Sequence, residues 1–396
     1  MTKPTPQLTR TAKTNVSILS GEDILKQGHQ LVGNLWNESI LYLKKTAPYP
    51  GRWNLQKAMR PDWRILSDRV FSYVILDAHI AWRAFLTHRA NGNTRARPPA
   101  PSTDPRPLVF EVHRNAFPLG DWTYRLTVLG RDIDARHAVV KLTVQPGLKM
   151  KQVKLIRLLP TGNEGNIIYT IPSRPAPGDA IAGIDLGIIN LAVVAFDSGE
   201  SILYTGKGLL SSDRYFHKRA QKCKPSGWQP GEKRFAHSAR QRNFYRKAGN
   251  IRRMAVHNLT RHLIEQCVRR GVGALLIGDL RHIREGRNFG RTNQKFHAWP
   301  FAQLTEQLTY KAEAAGIEVR LVNERGTSSH CHRCGQKGQR PKRGLFHCPS
   351  CNLSLNADLN GAFNILNKAT PSPVYASNTS PTFIFRFDLE KFKIKS

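Results

Sequence analysis

Four of the six cysteines stand as two Cys-x-x-Cys pairs, Cys331/Cys334 and Cys348/Cys351, with thirteen residues between them. Each pair forms a tight knuckle that aims two thiolates at one point, and two knuckles complete a tetrahedral Zn²⁺ site. The loop between them is rich in Gly, Lys and Arg and has no apolar core, so metal closure is what would fold it. A redox Cys-x-x-Cys would need a thioredoxin-like setting around one pair, and that setting is missing. Glu324 lies just before this module and Asp358 just after it; a third carboxylate, Asp185, interrupts the apolar run IAGIDLGIINLAVVAF. A charge inside a buried strand is costly unless a metal or a partner stabilises it. The blander reading of Asp185 is an aspartate capping a turn. Three separated carboxylates at strand ends and a helix start suggest divalent-metal phosphodiester chemistry.

The elements that must carry these residues are legible in the periodicity. The stretch from Ala182 to Gly208 reads as a strand, a hairpin and a further strand, with Gly183 and Gly187 permitting close approach. AVHNLTRHLIEQCVRRG reads as a helix with Val256, Leu259, Leu263, Cys267 and Val268 inward, Cys267 being a small core hydrophobe. His257 and His262 are expected to face solvent. GALLIGDLRHIREGRN reads as a buried strand entering a polar loop, PFAQLTEQLTYKAEAAG as an amphipathic helix stopped at Gly316, and IEVRLVNE as a strand ending at Glu324. Strand, helix, strand makes a βαβ unit. Asp358 heads a short helix with Leu359, Ala362, Phe363 and Leu366 on one face.

Lys and Arg total 61 against 28 Asp and Glu in 396 residues, a formal charge of +33. That imbalance repels itself unless a polyanion neutralises it, so nucleic acid is the expected partner. Hydrophobic content of 40% argues for folded domains rather than a disordered basic tail. Residues 207–253 hold fourteen Lys or Arg and two acids, with Trp228, Phe235, Phe244 and Tyr245 interleaved. A charge run is usually a solvated face, but sign purity and aromatics here favour nucleic-acid backbone contacts, with Arg240, Arg242, Arg246 and Lys247 as the candidates. No signal peptide and no uncharged apolar run of about 18 residues is visible, so no membrane is expected. The remaining cysteines, Cys223 and Cys267, fit a reducing compartment.

In the N-terminal half, Ser20 and Asp23 read as a helix N-cap pair. Behind them comes an apolar stripe through Ile24, Leu25, Leu31, Val32, Leu35, Trp36, Ile40 and Leu43. A second helix is expected from about Pro61, with Ile65, Val70, Val74, Ala78, Trp82 and Phe85 on its stripe, and residues 96–107 read as a linker. From Leu108 to Ile171 the period changes to two, which predicts an all-β module, plausible as a barrel.

The motifs IDLGIINLAV, the GDL strand, TSSHCHRCG with CPSC, and ADLNGAFNIL together resemble the split RuvC-like nuclease domain and zinc ribbon of transposon-encoded TnpB proteins. Those are small RNA-guided DNA endonucleases related to type V CRISPR effectors. The resemblance covers residues 180–368, and the N-terminal half matches in layout only. It implies an α/β RNase H-like (RuvC) nuclease domain with an inserted zinc ribbon, plus N-terminal α-helical and β-barrel modules. The implied domains are a β-barrel wedge-like domain (1–19 and 108–175), a helical recognition domain with linker (20–107), a split RuvC-like domain (178–330 and 352–368), the ribbon (331–351) and a C-terminal tail (369–396).

By resemblance, Asp185 is the first-motif metal ligand and Asp358 the third. The second motif departs: most members have Glu before Asp-Leu, and this chain has Gly278. Some members, and the related eukaryotic Fanzor proteins, place that Glu just before the Thr-Ser of the zinc motif, where Glu324 precedes Thr327. Asp279 is the weaker candidate, because one step along a strand turns a side chain to the other face. The implied function is cleavage of double-stranded DNA beside a short target-adjacent motif, directed by a guide RNA. Two Mg²⁺ would be held by Asp185, Glu324 and Asp358, Zn²⁺ would be structural, and the location cytoplasmic and nucleoid-associated. Two alternatives stand beside it: a nuclease-inactive RNA-guided DNA-binding repressor, and a zinc-ribbon nucleic-acid binder without a guide.

Overall fold

The computed structural model describes residues 7–144, 146–223, 238–280, 301–342, 344–388 and 393–395. Trp228, Phe235 and the polar run after the GDL strand lie outside these residues. The chain divides into two compact units, Met1–Pro172 and Ser173–Ser396.

The first unit opens with β1 (Gln7–Ser20), followed by α1 (Glu22–Lys45), α2 (Arg52–Met59) and α3 (Asp68–Ala90). Six strands complete it: β2 (Leu108–Glu111), β3 (Ala116–Gly120), β4 (Thr123–Thr127), β5 (His137–Thr143), β6 (Val153–Leu158) and β7 (Glu164–Pro172). They form one antiparallel sheet in the order β2-β6-β7-β1-β5-β4-β3, with β1 between β7 and β5. The edge strands β2 and β3 are consecutive in the chain, and one isolated bridge, Val112 to Ala116, lies in the segment that joins them. One apolar cluster joins Leu35, Ile40 and Leu43 of α1 and Val70, Phe71 and Ile75 of α3 to Phe110, Tyr124, Val140 and Ile156 of the sheet.

Two helix starts differ from the sequence reading. Neither Ser20 nor Asp23 caps α1; the N-cap is Gly21 at φ 75°, without any side-chain cap bond. Glu22 and Asp23 still favour the helix dipole from the first turn. The second helix does not begin at Pro61, which sits in a 3₁₀ turn, Arg60–Trp63. The short helix α2 precedes it and α3 starts only at Asp68, leaving Ile65 exposed rather than on the stripe. The linker 96–107 has no regular structure but is strapped to α1. Asn37 exchanges bonds with the Ser102 backbone at 2.8 and 3.0 Å, and the Arg106 guanidinium stacks 3.8 Å over Trp36.

The second unit is a seven-stranded mixed sheet. Its strands and helices in order are β8 (Ala180–Leu186), β9 (Asn190–Phe196), β10 (Ser201–Thr205), α4 (Lys207–Gln221), α5 (Ala239–Arg269), β11 (Val272–Gly278), α6 (Phe301–Ala314) and β12 (Glu318–Val322). The ribbon hairpin β13 (Leu345–Cys348) and β14 (Leu353–Asn356), then α7 (Ala357–Leu366), β15 (Phe383–Asp388) and β16 (Lys393–Lys395), follow. Sheet order is β12-β11-β8-β9-β10-β15-β16, with β8, β11 and β12 parallel. The tail thus supplies a strand, β15, parallel to β10.

Side chains alternate between two covered faces, as a sheet buried on both sides requires. Ala182, Ile184 and Leu186 of β8 pack with α5 and α6. Val193, Ala195 and Leu203 pack with α7 and the ribbon. Asp185 falls on the second face by register. Along α5, Leu259, Leu263 and Cys267 are buried as expected, and burial pushes the Cys267 thiol up to about 12. Val268 is exposed instead, being one position off the stripe. His257 is exposed, but His262 is half-buried against the Tyr204 hydroxyl at 2.9 Å.

Gly21 must keep its left-handed backbone, and a Cβ there would lie 2.8 Å from the Ala138 Cα. Gly21→Ala is therefore expected to destabilise the first unit by about 1–3 kcal/mol, read as a lower midpoint in denaturant unfolding.

Candidate active site and zinc ribbon

Asp185 projects from the end of β8 toward α7. The approach is close because residue 361 is glycine: a Cβ there would sit 2.4 Å from Asp185 Oδ2. Asp358 stands in the first turn of α7, whose N-cap Asn356 accepts bonds from the backbone N–H of Asp358 and Leu359 at 2.9 and 3.1 Å. That cap fixes the direction in which the helix start points. Asn190, at the head of β9, donates through Nδ2 to Asp358 Oδ2 at 2.7 Å.

Glu324 lies two residues beyond β12, in a turn closed by Thr327, whose N–H and hydroxyl donate to the Glu324 carbonyl at 3.1 and 2.8 Å. Its carboxylate lies over β11. A Cβ built on Gly278 would fall 1.7 Å from Glu324 Oε1, 2.5 Å from Cδ and 2.7 Å from Cγ. The Glu324 carboxylate thus fills the space in which a side chain at position 278 would begin. Oε1 is buried without a hydrogen-bond partner among the described residues.

The electrostatics follow from this crowding. Asp185 is half-buried by surface area, but enclosure by protein is the main cause that raises its carboxyl well above the usual range. The charges of Glu324 and Asp358 raise it further, and Arg340 opposes them. Burial first, then Asp279, pushes Glu324 up to about 7, against the nearby Lys368 ammonium. Carboxylates so placed favour protonation or a bound cation. An orphaned, buried carboxylate oxygen beside two more carboxylates fits a hard divalent ion with oxygen ligands. The three residues do not make as tight a cluster as the cysteines do.

An open groove of about 810 Å³ runs past Asp358, lined by Asn190, Thr205, Lys207, Arg340 and Asn356. Asn190, Arg340 and Lys368 are absent from the sequence reading. Asn190 could have been noticed as the polar residue opening an otherwise apolar strand, whereas nothing in the sequence brings Arg340 or Lys368 to the carboxylates.

The four thiols lie within 4.8 Å of one another, with Cys331 Sγ 3.6 Å from Cys351 Sγ and Cys334 Sγ 3.4 Å from Cys348 Sγ. The edge of a tetrahedron with Zn–S near 2.3 Å is about 3.8 Å, so the set fits Zn²⁺ and leaves no open position. His332, within the first knuckle, is not a ligand. Its Nε2 accepts from the Ala376 N–H at 3.3 Å and its Nδ1 lies 3.1 Å from Asn360 Oδ1.

The candidate nucleic-acid residues Arg240, Arg242, Arg246 and Lys247 are exposed on the first turns of α5. Phe244 and Tyr245 are half-buried and meet Phe216 and His217 of α4 at 6.4 and 5.4 Å. The Arg252–Asp213 pair at 2.9 Å binds the same two helices together.

Cys348→Ser leaves three thiolates and should lose zinc. Metal content by mass spectrometry should fall together with the melting temperature, by ~5 °C or more.

Two family models match in sequence order: a probable transposase domain, OrfB_IS605, over residues 163–284, and a Cas12f1-like TNB domain over residues 301–365. The TnpB-like protein ORF457 of Acidianus two-tailed virus is 32% identical over 198 residues, 48% of this chain and 42% of that protein. The CRISPR-associated endodeoxyribonuclease Cas12f1 of Sulfoacidibacillus thermotolerans is 29% identical over 194 residues, 47% of this chain and 44% of that one. The matched stretch spans under half the length of either relative. A solved Cas12f1–sgRNA–target DNA complex shares the fold, with TM-score 0.63 and 15% identity over 87% of this chain and 82% of that one. Two models in the order the motifs predict, together with TnpB-like relatives, show that this chain is similar to TnpB-like and Cas12f1 proteins.

Proposed function

We propose that this chain is an RNA-guided, divalent-metal-dependent DNA endonuclease of a transposable element, with Asp185, Glu324 and Asp358 holding two Mg²⁺. The observation that carries this reading is the Glu324 carboxylate in the space that Gly278 leaves open. A glycine in the second motif alone would favour an inactive binder. A glutamate carboxylate entering that space from the turn beyond β12 supports the endonuclease reading over that alternative. The chemistry that Mg²⁺ supplies when bound is activation of water and stabilisation of the leaving oxygen. The chain's own part is to hold three carboxylates against their repulsion, Asp358 through Asn190 and Asn356. Arg340 and Lys207 line the groove beside them and suit the phosphates of a nucleic-acid strand.

The sheet and the helical segment of the first unit would act as the wedge-like and recognition domains that read the target-adjacent motif. Guide RNA and heteroduplex would be held through phosphates, with base pairing supplying sequence. Among the described residues no helix is long and apolar enough to cross a membrane.

Asp185→Ala, Glu324→Ala and Asp358→Ala should each lower Mg²⁺-dependent cleavage of a guide-matched duplex by at least ~100-fold, since ligands of one coupled site fail together. Binding of RNA and target should survive in all three. An active Glu324→Ala with an inactive Asp279→Ala would move the third ligand to the GDL strand; binding without cleavage in the unmutated protein would restore the repressor reading. Neutralising Arg240, Arg242, Arg246 and Lys247 together should lower the slope of log K for RNA against log salt by about 3. An unchanged slope would assign them to a solvated face.

A further inference from the structure

Glu324 is carried by a turn beyond a strand, where no ladder of backbone bonds holds it. Beyond its own internal bonds, that turn is tied among the described residues to one stripe of α7 and its extension: Asn360, Asn364 and Lys368, spaced by four residues and so stacked along one side. Asn360, fully buried, donates through Nδ2 to the His330 carbonyl at 2.7 Å and accepts at Oδ1 from the His332 N–H at 3.0 Å. Asn364 donates through Nδ2 to the Thr327 and His330 carbonyls at 2.8 and 2.7 Å. One turn on, Lys368 Nζ donates to the Asn323 carbonyl and, at 3.4 Å, to the Arg325 carbonyl.

These last two contacts flank Glu324. A lysine just past a helix ordinarily serves its own helix's last carbonyls. Lys368 instead reaches a segment 45 residues earlier in the chain and takes the carbonyl on each side of one residue. The asparagines fix the far end of the segment, near the first zinc knuckle; among the described residues, Lys368 is the side chain from outside the turn that holds its Glu324 end.

We propose that Lys368 is the positioning residue for Glu324, gripping the carbonyls on both sides of it so that its carboxylate enters the space over Gly278. This rests on Glu324 being a ligand of the divalent site. A glutamate on β11 itself would be fixed by its own ladder; one on a turn needs a separate anchor, and outer contacts of that kind tune metal affinity by about 10–100-fold.

The test is Mn²⁺ binding to the full-length, zinc-loaded protein, followed by electron paramagnetic resonance, in Lys368→Ala, Lys368→Arg and Glu324→Ala. Lys368→Ala should weaken Mn²⁺ binding about tenfold and raise the Mg²⁺ needed for half-maximal cleavage by a similar factor. Zinc content and melting temperature should stay unchanged, and Lys368→Arg should restore most of the affinity. Unaltered Mn²⁺ affinity in Lys368→Ala overturns the positioning role, as does a loss that tracks zinc content and melting temperature and is not rescued by arginine. If Glu324→Ala loses Mn²⁺ while Lys368→Ala keeps it, the anchor alone is wrong. If Glu324→Ala binds as the unmutated protein does, the ligand assignment fails and the anchor with it.

Discussion

Like charges gathered away from water repel, and the second unit is arranged to hold three of them near one another. Each carboxylate arrives on a differently built support: Asp185 on a central strand, Asp358 on a capped helix start, Glu324 on an anchored turn. Two glycines make the gathering possible by removing side chains where carboxylates must go, Gly361 under Asp185 and Gly278 under Glu324. The raised protonation tendency of Asp185 and Glu324 measures the cost of the arrangement. A divalent cation would turn that repulsion into coordination.

The zinc ribbon belongs to this arrangement. It is inserted between Glu324 and Asp358, and its buried Cys331, Phe346, Cys348 and Leu355 share a core with Phe363 and Leu366 of α7 and with Val193 of the sheet. Thiolate coordination would make the ribbon rigid, and the asparagines of α7 tie its first knuckle to the helix that carries Asp358. The insertion therefore ties two of the three carboxylates to one another through the ribbon and α7. It also brings Arg340 to the groove beside Asp358.

The parts of this that were legible in the sequence are those where a local pattern determines geometry. Apolar runs bounded by Gly and polar residues placed β8, β9, β11 and β12, and the Cys-x-x-Cys spacing brought four thiols together. Helix boundaries were less legible where a backbone conformation decided them: Gly21, rather than Ser20, starts α1, and the 3₁₀ turn at Pro61 delays α3 to Asp68. Interleaved aromatics were read as part of a nucleic-acid-binding stretch, but Phe244 and Tyr245 meet rings of α4, since a one-dimensional pattern does not say which neighbour covers a ring. Contacts between distant segments were not readable at all. Nothing in FIFRFD says that it joins β10, and nothing in a lone lysine at 368 says that it brackets Glu324. Gly278 was legible only as a departure; its meaning needs the side chain that occupies its place.

That shared place can be tested by moving the carboxylate back. In the double variant Gly278→Glu/Glu324→Ala the carboxylate would come from β11 itself, with no second glutamate competing for the space. Cleavage of a guide-matched duplex with Mg²⁺ should be abolished in Glu324→Ala and recovered, at least ~10-fold over that single variant, in the double one. A double variant that folds, retains zinc and RNA, and cuts no better than Glu324→Ala alone would contradict the claim that positions 278 and 324 serve one ligand site.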